Sequence, residues 1–330
     1  MIHVIINPRA AAGRAARTWQ RVEAQVRARH EIRVHATESG GDGVRLAAEA
    51  VRAAATAIVV VGGDGSLHDV VNGLLGALDG TPGPTLILWP SGSGNDFARS
   101  LGVRPSWDGL RAGLYGSTTR QVDAWQARWP GGTRWFINAA SFGLTARAVA
   151  LATWPGVRVT AGRYVAGAIR SVWRGADYEV RLSLDQAPLA AQRLAAGVLA
   201  NGAWFGAGMP IVPGAALGDG QLDLVLACAT TRLRLLGLLA RVVAGRHCTS
   251  PLVSRRSVSS LTLEWRGELP FEMDGETVQV ASPLEVRCAH GALRFAVPPP
   301  SQTTERVRRE GGHSSSLPRS DTGSDQVEPS

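Results

Sequence analysis

The stretch Val59-Val60-Val61-Gly62-Gly63-Asp64-Gly65-Ser66 constrains this chain more than any other. A β-branched run breaks into glycines and then opens a helical pattern, with Leu67, Val70, Val71, Leu74, Leu75 and Leu78 on one face. Strand, glycine loop and helix therefore follow one another without a gap. Glycines let a ligand approach the backbone, and the free N–H groups at a helix start favour an anion. A carboxylate in the same loop would repel bare phosphate, so Asp64 implies a Mg²⁺ ion between it and nucleotide phosphates. Asp64 could also simply cap the helix, but the glycines on both sides weigh against that reading.

The flanking sequence repeats the same grammar. A strand at 2–6 runs into Asn7-Pro8 and a glycine-containing loop, then a helix with Trp19, Val22 and Val26 on one face. A strand at 31–36 leads through Thr37 and Gly40-Gly41 into a helix carrying Val44, Leu46, Ala48 and Val51, and the strand at 57–61 follows. The next strand, Thr85-Leu86-Ile87-Leu88-Trp89, ends in a second glycine loop, Ser91-Gly92-Ser93-Gly94-Asn95-Asp96. Alternating strands and helices predict a parallel sheet with helices on its faces, and ligands bind beyond the carboxyl ends of such strands. Two glycine loops at those ends are expected to face one nucleotide.

After about residue 122 the texture changes to short alternating runs such as 180–184, 222–226 and 261–265, the pattern of an antiparallel sandwich. Two helices interrupt it, near 160–174 and at 231–244. The second, leucine-rich with three arginines, fits either a membrane surface or a cover over the sandwich. The expected division is an α/β nucleotide-binding domain at 1–122, a β-sandwich lipid or substrate domain at 123–297, and a disordered Pro- and Ser-rich tail at 298–330. With 330 residues and 45% apolar content, two cores can be filled.

Composition narrows the chemistry further. The net charge is +8 and no lysine occurs, so every cationic side chain is arginine. Genome composition would explain that bias, yet its consequence holds regardless: a Walker A loop, a protein-kinase lysine and a Schiff base are all excluded. Three cysteines without a C-x-x-C spacing argue against a disulfide framework or a zinc site. The start of the chain lacks the long apolar run of a secretory leader, and the uncharged stretch between Arg193 and Asp219 is broken by Pro and Gly. A cytoplasmic enzyme, peripheral to the membrane, is expected.

Taken together, Gly62-Gly63-Asp64-Gly65-Ser66 with Asn72-Gly73, Pro90-Ser91-Gly92-Ser93-Gly94-Asn95-Asp96-Phe97-Ala98-Arg99, Phe136-Ile137-Asn138-Ala139-Ala140-Ser141-Phe142-Gly143, Asn201-Gly202, Asp219-Gly220-Gln221-Leu222-Asp223 and Asp274-Gly275-Glu276 resemble the motifs of the diacylglycerol kinase catalytic-domain family. That family includes bacterial lipid kinases and sphingosine kinases. The matches run in family order from residue 2 to about 297. The resemblance implies an N-terminal α/β domain, a C-terminal β-sandwich and ATP in the cleft between them. It implies that Gly62, Gly63, Asp64, Gly65, Ser66, Leu67, His68, Gly92, Ser93 and Asn95, with Asn7 and Thr37, contact the nucleotide. Asp64, Asp123 and Glu276 would surround a catalytic Mg²⁺, with Asp274 as the general base on the lipid hydroxyl. A structural Mg²⁺ would lie at Asp219 with Ala216 and Gln221. Ser66 and Ser93 stand where the family commonly has Thr, and both keep the hydroxyl. Read locally, Asp274-Gly275 is also a hairpin turn.

The expected activity is transfer of the γ-phosphate of ATP to a lipid alcohol, diacylglycerol first, at an anionic membrane. A sphingoid base or polyprenol stays open as acceptor, as does a homodimer as oligomeric state. Rival readings are a soluble-substrate kinase of the NAD kinase or phosphofructokinase type, and a nucleotide-binding protein without turnover. Nucleic acid is not an expected partner, since the arginines are spread without interleaved aromatics.

Overall fold

The buried run 57–61 reveals how the first half is layered. In β3 (Ala57–Gly62), Ala57, Val59 and Val61 face one apolar cluster while Ile58 and Val60 face another. Successive side chains of a strand point to opposite faces, so a strand apolar on both faces requires cover on both. That cover comes from the helices in between. The computed structural model describes residues 1–299 apart from 105, 117, 154–159 and 189–190. Its first half runs β1 (Ile2–Ile6), α1 (Arg14–Arg27), β2 (Ile32–Ala36), α2 (Asp42–Arg52), β3, α3 (Asp64–Ala77), β4 (Thr85–Pro90), α4 (Asp96–Leu101) and α5 (Trp107–Tyr115). The strands pair in parallel in the order β2-β1-β3-β4. Helices α1 and α5 cover one face through Trp19 and Leu110, and α2 and α3 cover the other through Leu46, Val70 and Leu74.

The second half is mostly antiparallel. It comprises β5 (Thr119–Trp129), β6 (Gly132–Phe136), β7 (Ala139–Gly143), α6 (Leu144–Ala152), α7 (Ala161–Trp173), β8 (Tyr178–Leu184), β9 (Ala187–Pro188), β10 (Gln192–Ala200), β11 (Trp204–Phe205), β12 (Met209–Pro210), β13 (Leu222–Cys228), α8 (Arg232–Val243), β14 (Val253–Val258), β15 (Ser260–Trp265), β16 (Phe271–Met273), β17 (Glu276–Val278) and β18 (Leu284–Ala296). The expected α/β-then-sandwich order is what forms. The sandwich core is built around Trp125, Phe136, Phe142, Leu224, Leu263, Phe271 and Val286. Trp125 is buried with its indole N–H donating to Asn201 Oδ1 at 3.1 Å, so its polar atom is satisfied.

The halves are joined by more than a linker. Strand β18 pairs with β5 along most of its length and meets β4 in parallel at Phe295 and Leu86. Residues 1–298 accordingly form one compact unit. The expected disorder of 298–330 falls almost wholly on residues outside those described. Helices α5 and α6, short and rich in Ala and Gly, were not anticipated from periodicity.

Two glycines of α3 separate packing from propensity. A Cβ on Gly73 would lie 2.0 Å from the Val44 carbonyl oxygen of α2, whereas one on Gly76 would meet nothing within 4 Å. Helix propensity favours Ala over Gly by about 1 kcal/mol at both positions. Gly76→Ala is expected to stabilise by about 0.5–1 kcal/mol, and Gly73→Ala to destabilise by ~1–3 kcal/mol as α2 is pushed away. Urea melts of the two variants check this; equal shifts would mean that α2 does not pack closely on Gly73.

Candidate active site

The loops leaving the carboxyl ends of β1, β2, β3 and β4 converge with three segments of the second half around a cleft of about 490 Å³. Asn7, Thr37, Gly63–Ser66 and Gly92–Gly94 with Asp96 line it from one side; Tyr164, Phe205–Ala207 and Asp274–Glu276 line it from the other. The glycine loops touch: a Cβ on Gly92 would lie 2.5 Å from Gly63 Cα. Any larger residue there would separate them. Asn7 Nδ2 donates to Ser66 Oγ at 3.1 Å, tying the first loop to the third.

Asp64 is held beneath these loops by the amides of Asp96 and Phe97, which donate to its two oxygens at 3.2 Å each. Each oxygen keeps a free lone pair. Burial, and secondarily the like charge of Asp96, pushes the Asp64 carboxyl up to about 6. Asp96 is also raised by burial, and it accepts from Ala207 N at 2.8 Å and from the Arg99 guanidinium at 2.7 Å.

Asp274 is organised differently. It occupies the turn between β16 and β17 with φ 50°, and Gly275 follows at φ 90°, as a tight Asp-Gly hairpin requires. Its Oδ1 accepts from Asn138 N and Ala139 N, and its Oδ2 from Ile137 N and His68 Nδ1 at 2.9 Å. Arg134 Nε donates to His68 Nε2 at 2.8 Å, which places the ring proton on Nδ1, toward Asp274. Four donors thus occupy the lone pairs of this carboxylate. The same turn carries Glu276, exposed and facing Gly65, where a Cβ would lie 3.2 Å from Glu276 Oε1.

Two residues before Asp274, Glu272 is fully buried. Its Oε2 accepts from Gly275 N at 2.9 Å, whereas Oε1 and the Oγ of its cross-strand partner Ser141 have no hydrogen bond. Burial pushes its carboxyl up to about 8, so Glu272 is protonated at neutral pH.

Of the residues expected at the site, Asn7, Thr37, Gly63, Asp64, Gly65, Ser66, Gly92, Ser93, Asp274 and Glu276 line the cleft. Gly62, Leu67, His68 and Asn95 stand behind it. Leu67 is core, His68 supports Asp274, and Asn95 Oδ1 accepts from Gly92 N to shape the second loop. Asp123, grouped with Asp64 and Glu276 by the resemblance, is not among the residues that line the cleft. The β5–β18 register slips between Ala289 and Leu293, opposite Asp123, and the bulge exposes amides that need an acceptor. Asp123 supplies it: Oδ1 accepts from Gly291 N and Oδ2 from Gly220 N, both at 2.7 Å. Ala216, Asp219 and Gln221 lie in an exposed loop on that side, where Asp219 Oδ1 accepts from Gln221 N, and none of them lines the cleft. Cys288 and His290 also approach Asp123, but its oxygens are already engaged and burial holds the Cys288 thiol near 12. Asp69, Tyr164, Phe205 and Ala207 also line the cleft, with no sequence motif to mark them.

Residues 1–127 match the diacylglycerol kinase catalytic domain, and residues 138–297 match the YegS C-terminal NAD kinase beta sandwich-like domain. A Chromohalobacter salexigens protein named a YegS-like lipid kinase is 31% identical over 272 residues, 82% of each chain. The chain belongs to the diacylglycerol kinase catalytic-domain family. The enzyme also shares its fold with a diacylglycerol kinase from Bacillus anthracis str. Sterne, at TM-score 0.68 and 20% identity over 90% of this chain and 97% of that one. An NAD kinase from Archaeoglobus fulgidus, crystallised in complex with ATP, aligns at TM-score 0.50 and 12% identity over 94% and 98% of the two chains.

The raised carboxyls of this enzyme have a thermodynamic signature. In the unfolded chain Glu272 titrates near 4.3. Between that pH and about 8 the folded state holds a proton that the unfolded state has lost, so stability falls as pH rises through this window. Asp64 adds the same sign up to about pH 6. Glu272→Gln, which keeps the shape without the titration, is expected to reduce the fall in Tm between pH 5 and 8. Calorimetry at the two pH values measures it, and an undiminished fall would place Glu272 as a carboxylate already ionised in the fold.

Proposed function

We propose that this enzyme transfers the γ-phosphate of Mg²⁺-bound ATP to a hydroxyl of a membrane lipid, with diacylglycerol as the expected acceptor. The carrying observation is the junction of two unlike spaces. The acidic, glycine-lined cleft shares Tyr164 and Phe205 with a second cavity of about 100 Å³. That cavity is lined almost entirely by apolar residues, among them Val198, Ile211, Leu235, Leu238 and Val242. A kinase for a polar soluble acceptor has no use for it. An amphiphilic alcohol would use both, its hydroxyl in the cleft and its hydrocarbon in the apolar space.

The cleft residues fit a hard divalent cation. Asp64 and Glu276 offer oxygens with free lone pairs, and the mutual repulsion that raises Asp64 is what a cation would relieve. Bound there, Mg²⁺ would neutralise charge on the phosphates. The chain's own contribution is positioning. The amides of the two glycine loops and the Ser66 and Ser93 hydroxyls face the phosphate space, with Arg9 on its rim. The domain division at 1–122 and 123–297 belongs to the same reading, with nucleotide on the first side and acceptor on the second.

The transfer forms an oxygen–phosphorus bond, releases ADP and frees the hydroxyl proton. Family resemblance gives that proton to Asp274, but its lone pairs already hold four donors. Asp64, whose carboxyl is raised to about 6 without the cation, must be ionised to hold it, so protons and Mg²⁺ compete for this group. Activity at limiting Mg²⁺ is therefore expected to fall below about pH 6, and saturating Mg²⁺ is expected to move that fall to lower pH. Asp64→Asn is expected to lower kcat by about 10²–10⁴-fold. Asp274→Asn is expected to weaken the loop packing while retaining the acid limb of the pH profile. Transfer of labelled phosphate from ATP to a lipid panel in mixed micelles tests both. Loss of the acid limb only in Asp274→Asn would assign that limb to Asp274 rather than to Asp64, and no labelled lipid in any format would overturn the lipid reading.

A further inference from the structure

Six large apolar side chains are exposed among the described residues, and four of them lie on α7 and α8: Ile169 at 40%, Trp173 at 58%, Leu233 at 80% and Val243 at 50%. The two helices pack on each other, and at their junction the Arg232 guanidinium sits 5.6 Å from the centroid of the Trp173 ring. Neither helix contains an Asp or Glu. Arg170, Arg174, Arg232 and Arg234 are all exposed beside these apolar side chains. An apolar patch studded with one sign of charge does not arise from core packing, because the core-facing positions of both helices are already used. Tyr164, Ala168 and Val172 of α7, and Leu235, Leu238, Leu239 and Val242 of α8, line the apolar cavity on the inner side.

We propose that the outer faces of α7 and α8, with Ile169, Trp173, Leu233 and Val243 set among Arg170, Arg174, Arg232 and Arg234, are the surface by which this enzyme docks on an anionic lipid bilayer. The occupant follows from charge and shape. Arginine forks pair with lipid phosphates, and Trp at a wet boundary keeps its ring in the interface. No described helix is long and apolar enough to cross a membrane, so the pair lies on the surface rather than spanning it. The orientation rests on the lipid-acceptor reading above. With these faces on the bilayer, the cavity on their inner side lies between membrane and phosphate cleft, and a lipid passing between α7 and α8 meets Tyr164 before reaching the cleft.

The test uses the full chain and sedimentation with vesicles of phosphatidylcholine, with or without phosphatidylglycerol. The wild type is expected to bind the anionic vesicles and to lose binding as salt rises. Trp173→Ser with Leu233→Ser is expected to weaken vesicle affinity by roughly tenfold or more. Arg234→Ser, which leaves the apolar packing intact, and Arg232→Ser, which also removes the guanidinium over the Trp173 ring, are each expected to cost roughly fivefold. Val44→Ser with Tyr115→Ser, exposed apolar residues elsewhere, is the matched control and is expected to bind as the wild type does. A second readout compares phosphorylation of an acceptor lipid in vesicles with the same lipid in detergent micelles. The docking variants are expected to lose the first and keep the second within about twofold, since micelles bring the lipid without a bilayer. Vesicle binding unchanged in all three docking variants, or absent in the wild type, overturns the proposal even where micellar lipid is phosphorylated. Weakened vesicle binding with no phosphorylation in either format upholds the docking surface and removes the acceptor reading.

Discussion

The Asp274 carboxylate ties together parts of the chain that have no other reason to meet. Its donors are three successive amides at 137–139 and the ring of His68, which lies 206 residues before it. A carboxylate taken out of water costs several kcal/mol unless its lone pairs are filled, and here backbone and imidazole fill them. The first turn of α3, the start of β7 and the β16–β17 hairpin are thereby held in one place. Asp64 stands on the first of these and Glu276 on the third, so the spacing of the acidic groups across the cleft is set by a bond that neither of them makes.

Around that anchor the cleft accumulates negative charge that the protein neutralises only in part, through the Arg99 guanidinium on Asp96. Asp64 and Asp96 are raised by burial, Glu272 is held protonated, and Arg9 is the one cationic side chain lining the space among the described residues. In a chain without lysine, a flexible ammonium cannot be swung in, and guanidinium groups need room for their planar fork. On the function proposed above, positive charge arriving with the nucleotide would complete the site. Neutral Glu272 under the turn avoids adding one more anion to a crowded place.

Much of this was legible because short-range chemistry wrote it. The glycine loops after β3 and β4 announce close backbone approach, and the unbroken apolar run at 57–61 announces cover on both faces. What escaped was whatever depends on distant partners. Tyr164 sits on an amphipathic helix like any other, and its place at the meeting of two cavities is set by β11 more than forty residues later. Asp123 reads as a site carboxylate only through the family resemblance, and the role it takes in the structure, filling a register slip in β18, is one that no local pattern encodes. The leucine-rich run at 231–244 supported two readings because its two faces do two things, one covering a cavity and one left bare.

The β5–β18 ladder carries a mechanical consequence. It runs from the sandwich, at Arg128 and Glu285, to the edge of the parallel sheet, at Thr119 and Ala296, interrupted only where Asp123 fills the bulge. Two lobes linked by a loop can swing open like jaws, but lobes sharing a continuous hydrogen-bonded ribbon cannot do so without shearing it. The elastic compliance of this molecule therefore resides at the rim of the cleft, in loops and helices that can yield while the frame stays stiff.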